Sequence, residues 1–133
     1  MQHKEALNWL TFAENDYLVA EHLFRDFYPM QCEIICYHCQ QCAEKAIKAI
    51  YIAAELPGGI PKKHDLSFLL CQMKDSVSVP EILLDYADSL TPYGVTVRYP
   101  SQLEISQNDT KTALNHAKAI LDWANHCLAH NMQ

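Results

Sequence analysis

Half of the 133 residues are hydrophobic, one fifth are charged and only three are Gly. Those values fit one compact domain over residues 1–133 and exclude two packed ones. Ten Lys and Arg stand against sixteen Asp and Glu, a net charge of −6 with the seven His taken as neutral, which excludes generic polyanion binding unless a local basic cluster overcomes the global repulsion.

Apolar residues recur at spacings of three and four with few β-branched alternations, the signature of amphipathic helices. The first helix spans about His3 to Phe27, with Ala6, Leu10, Ala13, Tyr17, Ala20 and Phe24 on one face and Glu14, Asn15 and Glu21 beside it; Pro29 ends it. The second runs from about Gln31 to Glu55 on a stripe of Ile35, Cys39, Ala43, Ala46, Ile50 and Ala53. Its stop is Leu56-Pro57-Gly58-Gly59-Ile60-Pro61, where two Pro remove donors and two Gly add backbone entropy. Asp65 or Ser67 caps a short helix reaching about Lys74. Pro80 opens a fourth helix, through Leu90, from a first-turn position, with Ile82, Leu83, Tyr86, Ala87 and Leu90 inward. Thr91 to Asn108, holding Pro92, Gly94 and Pro100, is the longest irregular connection, and long loops in small domains often carry function. Asn108 or Asp109 caps the last helix, whose inner face is Ala113, Ala117, Ile120, Ala124 and Cys127 and which ends near His130. The expected fold is all-α: an antiparallel up-down four-helix bundle with one additional short helix.

No stretch approaches the roughly eighteen apolar residues of a membrane span, and MQHKEALNWL lacks the apolar segment of a signal peptide. The protein is therefore expected in the cytoplasm without membrane contact, its six Cys as free thiols. Cys32, Cys36 and Cys39 fit CxxxCxxC, and Cys42 follows three residues later. On a helix they share the arc of the apolar stripe and act as small hydrophobes, so no metal and no other cofactor is expected. His126 and His130 read as a solvated last turn that complements the helix dipole.

The opposite face of the second helix carries His38, Gln41, Lys45 and Lys48 at spacings of three, four and three. Alone, such a strip is a solvated face. Lys62, Lys63 and His64 follow across the turn, so residues 38–64 hold four Lys against Glu44 and Glu55 and reverse the global charge balance. In the long loop Arg98, one of only two Arg, stands beside Tyr99. Such a pair forks onto a phosphate while its ring stacks a base; the plainer reading has Arg98 capping a helix end or pairing with Asp88, and Tyr99 packing on the bundle. No Ser lies in a nucleophile elbow, and Gly58-Gly59 lacks the phosphate-loop pattern.

Taken in order, Ala13-x-x-Asp16, Cys39-Gln40-Gln41-Cys42-Ala43-Glu44-Lys45-Ala46-Ile47-Lys48-Ala49, His64-Asp65-Leu66 and Arg98-Tyr99-Pro100 resemble the HEPN domain family over nearly the whole chain. The resemblance implies a bundle that forms a homodimer, with a cleft lined by the polar residues of the second helix and the Arg98-Tyr99-Pro100 loop. It implies a nucleotide- or RNA-binding module acting with a minimal nucleotidyltransferase in a toxin–antitoxin-like pair. His38, Gln41, Lys45, Lys48, His64, Arg98 and Tyr99 are its candidate nucleotide-binding residues, Arg98 and Lys45 or Lys48 as phosphate contacts and Tyr99 as a stacking surface.

Ribonucleases of the family use an Arg, four to six intervening residues and a His; counted from Arg98, those positions are Leu103, Glu104 and Ile105. The general acid or base that phosphodiester cleavage requires is missing there. Binding without cleavage therefore leads, ahead of a metal-independent ribonuclease toxin and of a module that only contacts protein.

Overall fold

The computed structural model describes residues 3–94 and 104–130. Its elements are α1 (His3–Asp26), α2 (Cys32–Ala53), α3 (Leu66–Gln72), α4 (Glu81–Leu90), a 3-10 turn (Thr91–Gly94) and α5 (Gln107–Ala129), with no strand among the described residues. The expected all-α architecture is thus present, although α4, with ten residues, is less than half the length of its long neighbours.

The α1–α2 contact is the most extensive in the molecule, α5 covers both helices, and α3 and α4 close the bundle from the side. Small residues explain the close fit: Ala6, Ala13 and Ala20 of α1 and Ala43, Ala46 and Ala49 of α2 are buried and hold the backbones near one another. Tyr17 and Phe24 lie half-buried at the edge of the same stripe. On α5 the expected inner face, Ala113, Ala117, Ile120, Ala124 and Cys127, is buried throughout. Polar ties fix the periphery: Tyr51 Oη donates to the Leu69 carbonyl at 2.5 Å, and Trp123 Nε1 donates to the Ser78 carbonyl at 3.0 Å.

α2 is the central helix, touching every other element. Its buried set, from Ile35 and Cys36 to Ile50 and Tyr51, takes up most of the circumference and includes Gln40 and Glu44. Cys36, Cys39 and Cys42 are among these buried residues and Cys32 is half-buried, all as free thiols. What remains of α2 for solvent is a narrow strip, and that strip holds the candidate site.

Three expected boundaries shift. α2 stops a few residues before its Pro and Gly: the Glu55 N–H donates to the Ile52 carbonyl and the Leu56 N–H to the Tyr51 carbonyl, with Glu55 at φ 52°. That pairing is a Schellman closure with Glu in the position glycine usually takes. Pro80 is the N-cap of α4 instead of a residue of its first turn. Ser106, not Asn108 or Asp109, is the N-cap of α5; Asp109 is the third residue of a capping box in which the Ser106 hydroxyl accepts from the Asp109 N–H and the Asp109 carboxylate from the Ser106 N–H, both at 3.0 Å. Asp65 does cap α3, accepting from the Phe68 N–H at 3.2 Å. Ile82, expected inward, is half exposed, because Leu83, Ala87 and Leu90 form the buried face of α4 and Ile82 stands about 100° from Leu83 around the axis.

Candidate functional site

The strip on α2 is organised by two carboxylates. Asp16, on α1, faces α2 across the helix pair: its Oδ1 lies 2.8 Å from His38 Nδ1, and its Oδ2 accepts from Lys45 Nζ at 2.7 Å. Glu44, on α2 itself and only 8% exposed in its side chain, accepts from Lys48 Nζ at 2.6 Å. His64 reaches the same carboxylate from the segment before α3, Nδ1 to Oε2 at 3.2 Å, while its own side chain is 83% exposed. Each carboxylate therefore holds one Lys and one His.

Sequence spacing explains the division. Lys48 is four residues beyond Glu44, one helical turn, so this pair forms within α2. His38 and Lys45 lie seven apart, two turns on the same edge, and the single carboxylate of Asp16 spans them from the neighbouring helix. Gln41 lies between the two groups and donates to Gln40 Oε1 at 2.7 Å; the buried Gln40 in turn donates to Glu44 Oε1 at 2.8 Å. Burial pushes the Glu44 carboxyl upward, but the hydrogen bonds from Lys48 and Gln40, the Lys48 charge and the His64 contact outweigh it and hold the group below the usual carboxylate range. Glu44 is thus an anion at neutral pH.

The structure brings His38, Gln41, Lys45, Lys48 and His64 onto one connected surface. Arg98 and Tyr99 lie outside the described residues, as does Pro100. The connection leading to them begins at the site, since Gly94 packs on the Gln40 side chain and the Thr91 hydroxyl accepts from the Leu66 N–H at 3.1 Å, two residues beyond His64. Lys62 and Lys63 are exposed, and neither is paired with a carboxylate among the described residues.

Asp16, Gln40 and Glu44 are site residues that a search for cations does not find. Glu44 has a signal in the sequence, its i, i+4 relation to Lys48. Asp16 has a weaker one: a carboxylate three residues after Ala13 and four before Ala20 sits at the edge of an apolar stripe and needs a cationic partner from another helix. Chemically the arrangement presents Lys ammonium groups and His rings held in place by two carboxylates, Glu44 buried and Asp16 half-buried. Among the described residues no three His, Cys, Asp or Glu side chains converge in a metal-binding group, and no helix is long and apolar enough to cross a membrane.

A family model described as HEPN domain matches residues 6–127. Among solved structures, TT1696 from Thermus thermophilus is similar at 27% identity with a TM-score of 0.73, over 91% of this chain and 96% of that one. ST0689, described as an archaeal HEPN homologue, is similar at 26% identity with a TM-score of 0.69, over 92% of this chain and 97% of that one. No curated protein matches by sequence.

Proposed function

The chain belongs to the HEPN domain family, and from that premise we propose that it is a nucleotide- or RNA-binding module whose phosphate contacts lie on the α2 face. The observation that carries this reading is the convergence of Lys48 and His64 on the one carboxylate of Glu44. It joins the α2 strip to the Lys62-Lys63-His64 turn, so Lys side chains from two segments neighbour one another on a protein that is acidic as a whole. Lys45, Lys48 and His64 are already held by carboxylates, which favours Lys62 and Lys63 as first contacts for an incoming phosphate, with His64, Lys48, Lys45, His38 and Gln41 behind them. Arg98 and Tyr99 belong to the same reading by the family resemblance, Arg98 on phosphate and Tyr99 as a stacking ring.

Homodimerisation and a minimal nucleotidyltransferase partner in a toxin–antitoxin-like pair belong to the same reading and rest on family membership, and a cytoplasmic setting goes with it on the sequence features given above. Cleavage is not part of it, because Leu103, Glu104 and Ile105 occupy the places of the expected downstream His.

Calorimetric titration of a nucleotide panel and a short RNA into wild type, Lys48→Gln and Arg98→Ala, at low and physiological salt, tests the proposal. Binding that weakens with salt and in both variants is expected. Absence of binding by wild type under all these conditions would sink it and direct attention to a protein partner.

A further inference from the structure

The segment joining α2 to α3 carries Lys62, Lys63 and His64 in succession, all exposed, and Phe68 follows on α3 with 36% of its surface open. Lys63 Nζ stands 5.7 Å from the centroid of the Phe68 ring. The ring lies outside for a local reason: α3 buries Leu66, Leu69 and Leu70, and Phe68 falls off that stripe. Asp65, the carboxylate next to His64, is committed to the start of α3, where it accepts from the Phe68 N–H at 3.2 Å and the Ser67 hydroxyl at 3.0 Å. His64 is drawn to Glu44 on the other side. A partly exposed ring is thereby left with the Lys63 ammonium over it, and no described carboxylate neutralises Lys63 or its neighbour Lys62.

A free phosphate or an acidic peptide would use the Lys pair and leave the ring idle. An unpaired nucleotide uses both, because its base offers a π-face to the ring while the flanking phosphates meet the ammonium groups. In a duplex those faces are hidden by their neighbours in the stack.

We infer that the Lys62–Phe68 edge holds an unpaired nucleotide of a single strand, with Phe68 stacking the base and Lys62 and Lys63 neutralising the adjacent phosphates. This deepens the binding reading above and rests on it. It also places an aromatic platform on a residue other than Tyr99, on the short helix that follows the His64 contact with Glu44.

The experiment is fluorescence anisotropy with a labelled unstructured RNA 12-mer and the matching duplex, with inorganic polyphosphate and a polyglutamate peptide as competitors. Wild type, Phe68→Leu and the Lys62→Gln/Lys63→Gln double variant are compared, with circular dichroism confirming the helical fold of each. Wild type is expected to prefer the single strand. Phe68→Leu is expected to lose about tenfold in single-strand affinity, the scale of one base stack, with its affinity for polyphosphate unchanged; the double Lys variant is expected to lose both. Single-strand binding by Phe68→Leu equal to wild type would overturn the inference and leave the proposed function standing, and so would polyglutamate competing as well as polyphosphate with no effect of Phe68. Wild type that binds neither RNA nor polyphosphate would overturn the inference, and, if the nucleotide panel is also silent, the proposed function with it.

Discussion

The carboxamide of Gln40 fills the space that a side chain at Gly94 would need: a Cβ there would lie 2.8 Å from Gln40 Cδ and 2.9 Å from its Nε2. Gln40 has little freedom to yield, since it is fully buried and hydrogen-bonded to both Glu44 and Gln41. Gly94→Ala is therefore expected to destabilise the protein by about 1–3 kcal/mol, as overpacking does. In a Gln40→Ala background the added methyl has room, and the cost of Gly94→Ala should fall by at least half. Urea unfolding of the four proteins in a double-mutant cycle measures that coupling; additive effects would mean that the two residues do not meet.

Glu44 sets an acid limit on stability. Its folded-state carboxyl is held below its ordinary value of 4.5, so the unfolded chain takes up the proton first as pH falls. The stabilisation is complete above about pH 4.5 and is lost as pH drops through the lowered value. Urea unfolding between about pH 7 and pH 3 should give Glu44→Gln a shallower acid slope than wild type. Identical slopes would show that Lys48 and Gln40 do not favour the ionised form.

Much of this is legible in the chain because α1, α2 and α5 carry apolar stripes long enough to fix their inner faces. The misreadings are local decisions settled by tertiary contact. Ser106 and Asp109 are both competent caps, and only the capping box distinguishes their roles. Ile82 looks like Leu83 in composition and differs only in angle around a ten-residue helix. At the site, charge spacing finds His38, Lys45 and Lys48, and Glu44 through its i, i+4 relation to Lys48, but not the second anion. Asp16 comes from another helix, and no spacing within α2 points to it. Phe68 escapes notice because a single aromatic residue in a short helix reads as core until its neighbours Leu69 and Leu70 take the buried positions.

The end of α2 offers a gain. Glu55 sits at φ 52°, where a Cβ crowds the following carbonyl and glycine does not. Its own N–H bond to the Ile52 carbonyl and the Leu56 N–H bond to the Tyr51 carbonyl belong to the closure and survive substitution. Glu55→Gly is expected to raise stability by about 0.5–1 kcal/mol, whereas Gly58→Ala, at φ 82° in open space, should lower it by about 1 kcal/mol. Chemical denaturation of the two variants checks the opposite signs.

The six thiols should separate by reactivity. Cys36, Cys39, Cys42 and Cys127 are buried, Cys32 is half-buried and Cys71 is exposed. Burial first, then the neighbouring thiols for Cys39 and the Asp16 charge for Cys42, pushes those two well above the ordinary thiol value. Because the thiolate is the reactive form, Ellman's reagent on native protein should modify Cys71 rapidly and Cys32 more slowly. The four buried thiols should appear only on denaturation, and peptide mapping that found Cys39 or Cys42 labelled in the native state would contradict this order.

His116 supplies a second pH dependence, separable from that of Glu44. Its ring stacks on Tyr86 with centroids 4.1 Å apart and planes 15° from parallel, and its Nδ1 lies 2.7 Å from the Ser89 hydroxyl. Burial between α4 and α5 pushes its imidazolium below the ordinary value of 6.5. Below pH 6.5 the unfolded chain therefore gains a proton that the folded protein still refuses, so unfolding becomes easier as pH falls and levels off once the lowered value is passed. Gln at this position keeps a donor and an acceptor for Ser89 but does not titrate. From about pH 7.5 to 5.5, wild type should lose stability relative to His116→Gln. The His–carboxylate pairs at Asp16 and Glu44 are common to both proteins and cancel in the difference. A constant gap across that range would show that the α4–α5 contact accepts the charged ring as readily as the neutral one.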